Sequence, residues 1–312
     1  MAWRKPHNGG ACGHCRSCEN SPSGICSRHM NLRTVCIFLL SLVAASRIDA
    51  EAQDVVDNSP WSVTDSVLTV SKTVLRVEAY AFADRTDIRE VRFEDGSRLH
   101  SIGEYAFMGC SNLKNITLPA SLRTLGEGCF RECGLTSLAV PDGVKELPKG
   151  MCAWNEELRT VSLPAGLADI AAHAFAYCKS LESIEIPRAV SHIGNNAFSC
   201  CYTLAEVTLP RAMRELESYA FSDCRSLRGA VMPANSRLLG ELIFSGCENL
   251  TSITVMSPAP PPFDCDSFIF EPDEARLYSR CRLYVPAESV NRYRTARGWK
   301  LFTNIIPVSH RK

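Results

Sequence analysis

The sequence predicts a solenoid in which one unit of roughly 23 residues recurs about eight times, each copy stacked on the next. Three residue types carry this expectation. Proline recurs at Pro119, Pro141, Pro164, Pro187, Pro210 and Pro233, with one step of 22 residues and four of 23. Phenylalanine keeps the same phase at Phe82, Phe107, Phe130, Phe175, Phe198, Phe221 and Phe244, and Cys152 fills the one missing slot. Cysteine follows at Cys110, Cys133, Cys178, Cys201, Cys224 and Cys247, with Asn155 in its own missing slot.

Aligned on these positions, the unit reads Cys-x-x-Leu-x-x-Ile-x-Leu-Pro-x-x-Leu-x-x-Ile-Gly-x-x-Ala-Phe-x-x-Cys. Its first half, as in Leu113, Ile116 and Leu118 or Leu181, Ile184 and Ile186, has the L-x-x-L-x-L spacing of leucine-rich repeats. Ile116 and Leu118 are two apart, so a strand turns both inward and leaves Asn115 and Thr117 outside. Proline then ends the strand, because it has no N–H to continue the ladder. The second half, as in Leu122, Leu125, Cys129 and Phe130, turns the chain back. The expected fold is a leucine-rich-repeat solenoid, a right-handed coil with a parallel sheet on its concave face and irregular or short helical returns.

One coil cannot cover its own apolar stripe. Stacking at about 4.8 Å buries the stripes as continuous ladders of Leu, Ile and Phe. The repeat body is expected over residues 77–256, with an N-terminal cap over 51–76, where Val67–Val70 resembles a strand half, and a C-terminal cap over 257–312. In that last segment Leu283–Pro286 reads as a strand and Glu288–Arg297 as a short helix, with Trp299, Phe302 and Ile305 available to cover the final coil.

Ahead of the repeat, the apolar run Val35–Ala45 follows Arg33 and precedes small residues, the form of a secretory signal and too short to span a bilayer. Residues 30–50 are therefore expected to be a signal peptide starting at Met30. An uncleaved anchor is the alternative, and both readings export the rest. Residues 1–29 hold Cys12, Cys15, Cys18 and Cys26, which could assemble a zinc site, but a metal module ahead of a signal would be unusual. They read as a leader of upstream codons outside the true chain.

Lys plus Arg equals Asp plus Glu at 34 each, so no global field draws the chain to nucleic acid. No phosphate loop, dinucleotide fingerprint or nucleophile elbow occurs, and His100, His173, His192 and His310 fall in no ligand or triad motif. His173 and His192 sit at variable return slots and are expected on the surface. No catalysis, cofactor, metal or small-molecule substrate is expected. The cysteine ladder permits disulfides, since neighbours about 5 Å apart lie within bonding range, but Asn155 shares the slot, which favours buried free thiols. In the C-terminal cap, Cys265 and Cys281 are better placed to pair than the ladder cysteines, with free thiols as the alternative.

The outward strand positions form two columns on which a partner could bind. The candidate residues are Asn115, Thr160, Ser183 and Glu206 in one column and Thr117, Ser162, Glu185 and Thr208 in the other. They are small and mostly hydroxyl-bearing, without aromatic anchors. Glu185 and Glu206, with Glu182 beside them, form an acidic group suited to a cationic partner.

The unit resembles the BspA-like, or Treponema-type, leucine-rich repeats of bacterial and protist surface proteins. The resemblance covers about residues 65–256, and the terminal VPAESVNRYRTARGWKLFTNIIPV is similar to the end of Bacteroidetes members. It implies an exported, extracellular or cell-surface protein that binds a protein or glycan ligand, such as host matrix or a host cell surface, and has no shared catalytic residues. The alternative role is a structural spacer or coaggregation module on the producing cell.

Overall fold

The computed structural model describes residues 60–236, 238–263, 269–271 and 274–308. The leader, the signal segment and Cys265 lie outside the described residues. The expected leucine-rich-repeat solenoid forms, built from three series of parallel pairings between coils; strand pairing in the first is broken between Ile116 and Ser137 and between Ser162 and Glu206, and in the second between Leu125 and Glu146.

The first ladder is the strand face. Its strands are Val67–Val70, Glu90–Phe93, Asn115–Ile116, Ser137–Ala139, Thr160–Ser162, Glu206–Thr208, Gly229–Met232, Ser252–Val255, Arg282–Pro286 and Asn304–Val308. The inward side chains of these strands, such as Leu68, Val91, Leu138, Val207, Ala230, Ile253 and Leu283, are buried at successive levels of one core. The ladder extends beyond the units that the repeat letters mark. At the start, the hairpin strand Trp61–Thr64 pairs antiparallel with Val67–Val70, and Trp61 lies edge-on to Phe82 at 5.3 Å. At the end, Arg282–Pro286 and Asn304–Val308 add in parallel to Ser252–Val255, although a long insertion separates them in sequence. Trp299 and Phe302 close this end, and Trp299 Nε1 donates to the Pro261 carbonyl.

The return half is not helical. It carries a second parallel ladder of two-residue strands, Arg76–Val77, Ser101–Ile102 and Thr124–Leu125, then Glu146–Leu147 through Asp169–Ile170, His192–Ile193 and Glu215–Leu216 to Leu238–Leu239. The α-helices among the described residues, Ala275–Arg280 and Val290–Thr295, both lie beyond the repeat letters. Apolar residues three apart suit a helix, but here they serve a pair of extended residues followed by a turn. The short strand buries one side chain of each pair, as in Thr124–Leu125.

His192 lies on this second ladder and is not simply on the surface. Its Nδ1 is 2.8 Å from Asp169 Oδ2 in the preceding coil, and its Nε2 is 3.1 Å from Glu217 Oε1 in the following one. Burial disfavours the charged ring, but the hydrogen bonds and charges of Glu217 and Asp169 outweigh it and raise the His192 pKa.

The third ladder runs through the turn that follows. Each coil has two left-handed residues there, as in Tyr105 and Gly109 or His173 and Tyr177. That conformation costs a residue with a side chain about 1–2 kcal/mol. It aligns alternate N–H groups on the next coil: Tyr105, Phe107 and Gly109 donate to the carbonyls of Glu127, Cys129 and Arg131. The phenylalanines between stack coil on coil, with centroids 5.3 Å apart for Phe82 and Phe107 and 5.1 Å for Phe198 and Phe221. Cys152 interrupts the stack between Phe130 and Phe175.

The cysteine slot explains its own letter. Sγ–H of Cys110, Cys133, Cys201, Cys224 and Cys247 donates to the carbonyl of Phe82, Phe107, Phe175, Phe198 and Phe221 in the preceding coil, at 3.0 to 3.3 Å. Cys178 does the same to Cys152. Asn155 replaces the thiol with Nδ2, 2.6 Å from the Phe130 carbonyl. These cysteines are free and buried, as is Cys281. Burial raises the Cys110 pKa to about 11, which keeps its donor proton in place.

Two outcomes follow from this packing. Phe175→Ala should lower unfolding free energy by about 3–5 kcal/mol, whereas Thr160→Ala, on the exposed face, should change it by no more than about 0.5 kcal/mol in urea titrations. Because the His192 pKa is raised, its clasp contributes fully below the unfolded value near about 6.5 and is lost as pH rises through the folded value. Melting temperature should therefore fall as pH rises above the unfolded histidine value in the wild type, and His192→Gln should flatten that part of the profile.

Candidate functional site

All eight candidate residues are exposed: Asn115, Thr160, Ser162, Glu206 and Thr208 on strands of the first ladder, Thr117 just past its strand, and Ser183 and Glu185 outside any strand. Strand register builds the columns. Ser137 faces Thr160 and Ala139 faces Ser162; further on, Glu206 aligns with Gly229 and Ser252, and Thr208 with Val231 and Thr254.

Three features differ from the expected face. Ser183 and Glu185 are exposed but lie in no strand: Glu182 still hydrogen-bonds to Arg159 and Ala205 in the flanking coils, but residues 183–187 make no ladder pairing. Glu185 and Glu206 therefore face solvent from adjacent coils without a shared strand register. Glu182 is not part of a free acidic group either, since its Oε1 lies 3.5 Å from Arg159 Nη1. Neighbouring pairs, Lys179 with Glu156 at 2.7 Å and Lys114 with Glu157 at 2.6 Å, lace the entrance to the strands in the same way. Such exposed pairs contribute little to stability, but they remove free charge from the rim.

The columns also continue where the repeat letters stop. Ser252 faces Arg282 and Thr254 faces Tyr284, and Asn304 and Ile306 follow. Arg282 is exposed and Tyr284 half-buried. The strand face thus has a cationic and aromatic end, of the residue types enriched at binding hot spots. Only the alternation in Arg282–Pro286 hinted at this, and placing it required the register across the insertion. At the opposite end, Glu90 and Arg92 take the same columns and pair with each other at 2.6 Å.

His310 lies outside the described residues, and the other three histidines beyond the leader do not converge. His173 and His100 are exposed, while His192 is held between its two carboxylates. Among the described residues, no three His, Cys, Asp or Glu side chains are placed to hold a metal ion, and no helix is long and apolar enough to cross a membrane. The buried thiols face the backbone rather than a substrate. What the arrangement offers chemically is surface, with hydroxyls and isolated carboxylates in the middle and Arg282 and Tyr284 at one end.

The chain matches the BspA type leucine rich repeat region in six copies, over residues 75–169 and 148–259. A leucine-rich repeat protein from Bacteroides ovatus is 21% identical with a TM-score of 0.50, over 77% of this chain and 72% of that one. A leucine rich cell surface protein from Faecalibacterium prausnitzii is 22% identical with a TM-score of 0.46, over 78% and 79%. The leucine rich repeat protein of T. pallidum is 24% identical with a TM-score of 0.42, over 62% and 80%. No curated protein matches the chain. With its repeat found over more than half of the sequence, the chain belongs to the BspA type leucine-rich-repeat family.

Proposed function

We propose that this protein is an exported interaction protein that presents its strand face to a protein partner outside the producing cell, as an adhesin of host matrix or host cell surfaces would. The observation that carries the reading is the exposure of all eight candidate residues, at equivalent positions of stacked coils. Stacked coils make an extended surface with little to reorganise, which lowers the entropic cost of binding a large partner. The segment Val35–Ala45 supports export by its signal-like form.

Glu185 and Glu206 set the sign of this face at its centre. Neither forms an ion pair among the described residues, in contrast to Glu182, so their charges are available to a basic partner. Exposed carboxylates act mainly on encounter rate and register, and their influence falls with added salt. A partner captured from host extracellular matrix proteins should lose about fivefold in affinity for the Glu185→Ala, Glu206→Ala double variant at low salt. The loss should shrink as salt is added, with the melting temperature unchanged. Undiminished binding by that folded variant would remove the centre of the strand face from the interface.

A further inference from the structure

The coil from Pro148 to Leu158 departs from the repeat at several slots together, and the departures meet at a cleft on the turn edge. Gly150 takes a left-handed position that holds Tyr105 or Tyr219 in other coils; Cys152 replaces the phenylalanine, and Asn155 the cysteine. Trp154 occupies the second left-handed position. The preceding coil has Gly128 where Tyr105 stands one coil earlier. Two adjacent coils thus lack a side chain at the slot, and a cleft of about 440 Å³ opens there. That volume falls within the range of small-ligand sites.

Aromatic rings wall the cleft. The Tyr105 ring lies over Gly128, so close that a Cβ there would come within 2.5 Å of Cε1. Its hydroxyl is fixed by a 2.6 Å hydrogen bond to Glu127. At Gly150, a Cβ would meet nothing within 4 Å. The far wall is Trp154 stacked on Tyr177, with centroids 3.8 Å apart and planes at 5°. Tyr177 covers one indole face, so the 38% exposure of Trp154 falls on the other face and the edge. Tyr177 is therefore a half-buried support for the indole.

The charges facing the cleft are unevenly used. Lys149 is 3.3 Å from Glu127, whose carboxylate the Tyr105 hydroxyl also holds, and Nε of Arg131 is 2.8 Å from Glu132. Arg131 and Lys149 both line the cleft, with Glu127 as the carboxylate beside them. Burial, then Lys149 and Arg131, push the His173 pKa down. The backbone is already committed: the N–H groups of Gly128, Phe130, Gly150 and Cys152 donate along the turn ladder. An extended peptide finds no free edge to pair with there. Recognition falls to ring faces and side-chain donors, which suits the C–H face of a pyranose and its hydroxyls.

We propose that this cleft binds an acidic sugar, a pyranose bearing a carboxylate, with its ring against Trp154 and its carboxylate toward Arg131 and Lys149. The site lies on the turn edge, apart from the strand columns, and does not depend on the role proposed for them.

The test is calorimetric titration of the purified full chain with 3′-sialyllactose and tri-galacturonate, against lactose and the methyl ester of tri-galacturonate, with penta-glutamate as a non-sugar anion. At least one acidic sugar should bind about tenfold or more tightly than its neutral counterpart. Trp154→Ala should weaken that binding by about tenfold or more, and Arg131→Gln with Lys149→Gln should remove the preference for the acid. Gly150→Tyr guards against a folding artefact, because tyrosine already occupies this left-handed slot at Tyr105 and Tyr219. It should fill the cleft and abolish binding in a chain that still unfolds cooperatively, with a melting temperature lowered only by the cost of a left-handed side chain. The proposal fails if neither acidic sugar binds the wild type, if Gly150→Tyr binds as well as wild type, or if penta-glutamate binds as tightly as the sugars.

Discussion

A buried carbonyl at the phenylalanine slot of each turn is the constraint on which this solenoid rests. The turn that brings phenylalanine into the core also carries its peptide group inside, and a buried carbonyl without a donor is costly. The next coil answers twice: its own carbonyl takes the phenylalanine N–H, as Ala106 does for Phe82, and its thiol donates to the phenylalanine carbonyl, as Cys110 does. A thiol is a weak donor, but it is small and apolar enough for a fully enclosed position. The cysteine ladder is thus a hydrogen-bonding device, and buried pKa values held above the ordinary thiol range keep it protonated.

From that clasp the other ladders take their spacing. The ring stack, the short return strands and the strand face all repeat at the same axial interval, so each coil is held mainly by its two neighbours. The coil of Cys152 and Asn155 is the weak joint. It interrupts the phenylalanine stack, and Asn155 satisfies the Phe130 carbonyl while leaving its own Oδ1 buried without a partner. The same coil bears the turn-edge cleft, so strain in the core and openness at the surface coincide there. Local violations of a repeat's rules tend to collect where a surface does something other than stack.

Period, strand and core slots were legible because they depend on side-chain identity at fixed spacing. The outward columns followed from the two-residue alternation of a strand, and the candidate residues are all exposed. The return ladder was not legible, since Leu122, Leu125 and Cys129 satisfy a helical spacing as well as a two-residue strand followed by a turn. The clasp of His192 was hidden because its carboxylates come from the coils on either side. Tyr284 and Arg282 reach the columns only after an insertion that breaks the period. Trp154 and Tyr177 are two coils' versions of one slot, and their stacking depends on left-handed backbone that no residue type demanded. The identity of Asn155 pointed toward free thiols, but its meaning as a donor needed the distance to Phe130.

The most direct measurement compares Asn155→Cys with Asn155→Val by equilibrium unfolding, since the two side chains are similar in size and differ in having a donor. If the slot exists to satisfy the carbonyl of the preceding coil, the cysteine variant should equal or exceed the wild type, because it keeps a donor and removes the orphaned Oδ1. The valine variant should fall below the cysteine variant by about 1–3 kcal/mol, the cost of leaving the Phe130 carbonyl buried and unpaired. Equal stability of the two variants would show that the slot asks only for a small apolar filler and would contradict the account.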